Sequence, residues 1–114
     1  MAWTAWRLLA QGSAWFDEDF DYGGAACYEL SIAGPQGGNR HIVYCGHTGN
    51  EEQRMTRYGR DGSHLAKIIR KHLRGGWTLY YRGWSCASKK HADEMERRQL
   101  KKFEFPWNLI LNQR

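Results

Sequence analysis

The residues Tyr44-Cys-Gly-His-Thr-Gly-Asn-Glu-Glu-Gln-Arg-Met-Thr-Arg-Tyr58 read as strand, turn and helix in succession. Apolar alternation enters through Ile42 and Tyr44, and Gly46 interrupts the strand. Thr48 with Glu51 three residues later makes a Thr-x-x-Glu capping box that starts a helix. Arg54 and Tyr58, four residues apart, then share one helical face directed at the strand end that carries Tyr44. A guanidinium and a phenol placed there suit a phosphate. Taken alone, the same pair is what an ordinary helix surface presents, so the flanking sequence has to decide.

Upstream, Gly23-Gly24 opens a strand over residues 25 to 33, with Tyr28, Leu30 and Ile32 on one face and Cys27, Glu29 and Ser31 on the other. The loop Gly34-Pro35-Gln36-Gly37-Gly38-Asn39 then folds the chain into an antiparallel hairpin, which brings Tyr28 and Tyr44 into one sheet. Downstream, Ser63 is expected to cap a second helix. Its Leu65, Ile68, Ile69, His72 and Leu73 form a buried stripe, Lys67, Arg70, Lys71 and Arg74 face outward, and Gly75-Gly76 ends it. Residues 77 to 84 alternate as a third strand, with Trp77, Leu79 and Tyr81 opposite Thr78, Tyr80 and Arg82. Ser85 is expected to cap a long last helix stopped by Phe105-Pro106, leaving Asn108 in an extended segment from 107 to 111.

The order strand, strand, helix, helix, strand, helix predicts an α+β domain over residues 23–114, with a small antiparallel three-stranded sheet flanked by helices. Residues 1–22 are expected to be an extension packed on that domain. Trp3, Trp6 and Leu9 have the spacing of a short helix, and Phe16, Phe20 and Tyr22 sit among acids as aromatic anchors.

With 114 residues, 41% of them hydrophobic, six Trp, six Tyr and four Phe, the chain has the composition of one folded domain. It has no apolar run of the roughly 20 residues a membrane span needs and no basic-then-apolar leader at its start, which predicts a cytoplasmic protein. Three cysteines without a Cys-x-x-Cys pair fit reduced thiols rather than a disulfide framework. The net charge of +5 is unevenly spread. Residues 1–30 hold five acids against one Arg, whereas residues 39–74 hold eight Lys or Arg against three acids. That basic block coincides with the Arg54–Tyr58 face and makes nucleic acid the expected partner, with Arg57, Arg70 and Lys71 as phosphate-binding residues.

In the last helix Ala92, Met95, Glu96, Leu100 and Phe103 fall on one stripe, while Glu94, Arg97, Arg98 and Lys101 face away. A carboxylate on an apolar stripe needs a partner, because desolvating an unpaired charge costs several kcal/mol. Glu96 either pairs with a basic side chain at the stripe's edge or holds a metal ion.

Ala26-Cys27-Tyr28, Tyr44-Cys45-Gly46, Arg54, Tyr58, Glu96 and Asn108, in this order and largely at these spacings, resemble the GIY-YIG nuclease family. The resemblance spans residues 26 to 108. It departs from the family at Ala-Cys-Tyr in place of Gly-Ile-Tyr, in the long loop between the tyrosine motifs, and at His47, where many relatives have Lys. The resemblance implies a DNA endonuclease. Glu96 would hold one Mg²⁺ or Mn²⁺, Arg54 would grip the non-bridging oxygens, and Tyr28 or Tyr44 would act as general base. Tyr58, His47 and Asn108 would position the phosphate and backbone. A free tyrosine has a pKa of about 10, so the base needs a nearby cation, which Arg54, the metal or His47 can supply.

The competing expectation is a nucleic-acid-binding module without chemistry that uses the same basic residues. With no separate recognition module in view, weak sequence preference, selection by DNA structure, or recruitment by a partner protein or a second copy is expected.

Overall fold

The computed structural model describes residues 3–15, 24–34, 39–50 and 65–112. The expected first helix with Arg54, Arg57 and Tyr58, the Glu51 half of the capping box, the Ser63 cap and the anchors Phe16, Phe20 and Tyr22 lie outside the described residues.

Alternation builds the sheet as expected at its centre. Strands Ala26–Ala33 (β3) and Arg40–Thr48 (β4) pair antiparallel, with Tyr28 opposite Gly46 and Leu30 opposite Tyr44. Thr78–Ser85 (β5) pairs with the other edge of β3, setting Glu29 against Arg82. The sheet is nevertheless five-stranded, not three-stranded. Arg7–Gln11 (β1) and Ala14–Trp15 (β2) form a hairpin that adds to β5, giving the order β2-β1-β5-β3-β4. The helix expected around Trp3, Trp6 and Leu9 is therefore corrected: Leu9 lies in β1, and Trp3 and Trp6 precede it in irregular chain. Gly12, at φ +60°, and Ser13 form a two-residue turn that only a positive-φ residue opens readily.

Each face of the sheet carries its own core. Tyr28, Leu30, Ile32, Tyr44, Leu79 and Tyr81 pack with Ile69 and Leu73 of the helix Ala66–Arg74 (α1) and with Leu65, its N-cap. This α1 stripe is the expected one, and Gly75 is its C-cap. The opposite face joins Cys27, Cys45, Cys86 and Trp84 to Ala92 and Met95 of the helix Lys89–Lys102 (α2).

Ser85 pairs with Ala26 in the sheet and cannot cap α2. Ser88 is the cap instead, its Oγ accepting the His91 N–H at 3.1 Å. Leu100 and Phe103 are exposed, contrary to the expected stripe. At 100° per residue Leu100 lies about 90° from the centre of the Ala92, Met95, Glu96 and Gln99 group, and Phe103 is the extended C-cap where helical phase ends.

Pro106 starts a helix as well as following one. Pro106–Asn112 (α3) is helical where an extended segment was expected, because proline at the first helical position loses no hydrogen bond and already has a helical φ. This short helix wraps the β4 edge. Phe105 enters the α2-side core, and Trp107 enters the α1-side core.

Candidate active site

A bulge at Val43 puts Val43 and Tyr44 in the same core, and from Tyr44 onward the side chains of β4 alternate between the two faces. Tyr44 and Gly46 face the α1 side with Tyr28, whereas Cys45 and His47 face α2. Both tyrosines are buried, their ring centroids 6.2 Å apart and their planes tilted by 38°. Gly46 leaves the space they occupy, since a Cβ there would fall 2.5 Å from the Tyr28 hydroxyl. Thr48, the last residue of β4, accepts the Asn50 N–H at 3.1 Å and so turns the chain out of the strand.

On the α2 face, Glu96 is half-buried and meets a partner from the sheet. The Nδ1 atom of His47 lies 2.8 Å from its Oε2 atom. Asp93, one turn earlier on α2, brings a carboxylate oxygen to 3.8 Å from the same His47 nitrogen and is itself paired with the exposed Arg97 at 3.2 Å. One ligand atom from each of His47, Asp93 and Glu96 falls within 4.8 Å of the others. Two carboxylates and an imidazole, half-buried and still open to water, fit a divalent cation. Mg²⁺ accepts the oxygens and retains several waters, and Mn²⁺ also tolerates the nitrogen. The sequence pattern passed over Asp93, although its i, i+3 spacing from Glu96 signals a shared helical face.

Asn108 is buried and engaged with the main chain. Its Oδ1 accepts the Cys45 N–H and its Nδ2 donates to the Cys45 C=O, both at 2.9 Å. The amide thereby completes the outer edge of β4 between Tyr44 and Gly46. Arg70 and Lys71 are exposed on the outward face of α1.

The three cysteines are free and buried, with the Cys27 and Cys45 sulfurs 3.8 Å apart. The neighbouring Cys27 thiol and burial push the Cys45 thiol far up, and burial raises Cys86, both of which favour the protonated thiol.

Fold and site together define an α+β domain in which an antiparallel hairpin carries paired tyrosines on one face and, on the other, an imidazole that meets two carboxylates of the helix behind it. The family model described as GIY-YIG domain-containing protein matches residues 23–75 and 67–114. The chain belongs to the GIY-YIG nuclease family. Among solved structures, a mutant of EndoII from bacteriophage T4 shares the fold with a TM-score of 0.65 and 18% sequence identity, over 92% of this chain and 89% of that one. Comparison with curated proteins finds no match.

Proposed function

We propose that the chain is a divalent-metal-dependent endonuclease that hydrolyses DNA phosphodiester bonds, with Glu96 as the principal ligand of one Mg²⁺ or Mn²⁺. The observation that supports it is the Glu96–His47 contact at 2.8 Å, with Asp93 beside it, at the family's carboxylate position. Bound there, the cation would neutralise phosphate charge and lower the pKa of a coordinated water.

The chain's own residues supply the rest. Asn108 holds the strand that presents Tyr44 and His47. Arg54, placed by the sequence motif, grips two phosphate oxygens where charge builds. Tyr28 or Tyr44 takes the proton from water. His47 is a second candidate for that base, favoured by its position on the same face as Glu96, with the phenols on the other. Single-turnover cleavage by His47→Ala, Tyr28→Phe and Tyr44→Phe at one pH and saturating metal separates the two, because the rate is expected to fall furthest in the variant that lacks the base. Nicking of supercoiled plasmid that begins on adding Mg²⁺ or Mn²⁺ tests the activity, and DNA binding without nicking would favour the binding-module reading.

Arg54→Lys is expected to cut the cleavage rate by at least about tenfold, because the ammonium keeps the charge and loses the planar fork. Turnover near wild type in a single-turnover assay would reduce Arg54 to a surface residue.

Affinity is expected to come mainly from phosphate contacts of the basic block between Arg40 and Arg74, so log affinity should fall by about 0.9 per neutralised phosphate for each unit of log salt. Replacing Arg70 and Lys71 by Ala should flatten that slope by up to about two contacts' worth and weaken all fully paired duplexes alike. A salt titration on several sequences, with metal left out, checks this, and strong preference for one paired sequence contradicts it. The free thiols and the lack of any helix long and apolar enough to cross a membrane among the described residues accord with a proposed cytoplasmic setting.

A further inference from the structure

A cavity of about 200 Å³ opens beside the C-terminal end of α2, with a charged floor and aromatic walls. Glu29 forms the floor and is only 2% exposed. The Nε of Arg82 donates to its Oε1 at 2.7 Å, and the guanidinium lies over the rings of Trp3 and Trp6, at 4.7 and 4.5 Å from their centroids. Gln99 Nε2 donates to Glu29 Oε2 at a long 3.4 Å. Phe103 and Phe105 stand edge to face on the wall, 6.4 Å apart, and Phe103 is 57% exposed.

We propose that this cavity receives an unpaired nucleobase bearing an exocyclic amino group, that is cytosine, adenine or guanine in preference to thymine. The inference rests on DNA being the substrate and adds what the site selects. An ionised carboxylate has about four acceptor positions. Arg82 occupies Oε1 and Gln99 only weakly engages Oε2, so Glu29 retains capacity for an amino donor, the same pairing by which carboxylates read cytosine N4. The Gln99 amide can turn its donor from that long bond to a ring acceptor of the base. Thymine has no amino group; its one donor on that edge, N3–H, is flanked by two carbonyl oxygens, so bringing it to the carboxylate sets those oxygens against the negative charge. Phe103 supplies the π-face against which a base must stack for its amino group to reach the carboxylate, so selection by Glu29 requires Phe103, and a base that the carboxylate repels gains nothing from the cavity.

Position ties this cavity to the proposed chemistry. Gln99 lies three residues beyond Glu96, about one helical turn or 5 Å along α2. A phosphate at Glu96 and a base against Gln99 therefore belong to neighbouring nucleotides of one strand. A base paired in duplex has its amino group engaged already, so the cavity takes bulged, flipped or single-stranded nucleotides.

The test is fluorescence anisotropy without metal, on duplexes that are fully paired or carry one bulged cytosine, one bulged thymine or one abasic bulge. The cytosine bulge is expected to bind about tenfold more tightly than the other three. Phe103→Ala, a change at an exposed residue checked for folding by its thermal melt, is expected to bring that ratio close to one. Equal affinity of the wild type for all four, a preference that survives Phe103→Ala, or no binding to any duplex overturns the inference. Plasmid nicking with Mg²⁺ run in parallel keeps the two readings apart. Nicking without a cytosine-bulge preference removes the base cavity and leaves the endonuclease, whereas the preference without nicking does the reverse.

Discussion

Glu96→Gln is expected to lower metal-dependent cleavage by at least about a thousandfold while leaving the fold and metal-free DNA binding intact. The magnitude follows from losing the anionic ligand of a cation that stabilises transition-state charge by several kcal/mol. The fold is kept because glutamine has the same volume, and its amide still reaches the His47 Nδ1 that lies 2.8 Å from the carboxylate. Glu94→Gln is the matched control, since Glu94 is exposed on the outward side of α2 and should cleave as wild type does. Asp93→Asn should fall between them, because Asp93 brings the second carboxylate to the cluster but is already paired with Arg97. Rates from single-turnover assays at several Mg²⁺ concentrations check the ranking. Equal loss in the Glu94 and Glu96 variants would falsify the site.

Gly46→Ala is expected to damage both stability and activity. A Cβ at this position would lie 2.5 Å from the Tyr28 hydroxyl, 2.7 Å from Tyr28 Cζ and 2.9 Å from Tyr44 Cε2. These atoms belong to two buried rings in the same core cluster as Leu30, Ile69 and Leu73, and a close-packed core yields to an added methyl only by straining its neighbours. Overpacking of this kind costs about 1 to 3 kcal/mol, which a melt of a domain this size registers as a fall of several degrees or more. Where the variant is still folded, displacing the tyrosines by as little as about 1 Å should lower cleavage by up to about a hundredfold. Gly49→Ala is the control. Its nearest contact, Lys89 Cδ at 3.7 Å, is ordinary van der Waals distance, and both quantities should stay near wild type. An unchanged melt and rate in Gly46→Ala would mean that the two rings do not need this gap.

The parts of the fold that were legible in the chain are those fixed by local periodicity. Tyr28, Leu30 and Ile32 alternate with Cys27, Glu29 and Ser31, and the sheet sends the first three to the α1-side core and Cys27 to the α2-side core as that alternation requires. The α1 stripe of Leu65, Ile69 and Leu73 and the placing of Glu96 toward the sheet follow in the same way. What escaped depends on partners distant in sequence. Trp3, Trp6 and Leu9 mimic a helical spacing, yet Leu8 pairs with Tyr80 across the sheet, and only that long-range edge makes residues 7–11 a strand. Glu29 and Arg82 are 53 residues apart, so nothing local to either marks the buried pair that floors the cavity. Breaking such a pair from one side typically costs about 3 to 5 kcal/mol, and that is why the base-binding test alters Phe103 and leaves Glu29 alone. Pro106 was read as a stop when it also opens α3, and the Asn108 amide could be matched to the Cys45 backbone only once α3 was seen against the β4 edge.

The most direct measurement of the central claim is a time course of supercoiled plasmid with purified protein in EDTA, with Mg²⁺ or Mn²⁺ then added in excess. The account predicts intact supercoiled DNA throughout the EDTA phase, followed by conversion to nicked and then linear forms after the cation is added, with no conversion by Glu96→Gln under the same conditions. Nicking that proceeds in EDTA at the same rate, or a plasmid that binds the protein and stays supercoiled after either cation is supplied, would contradict it.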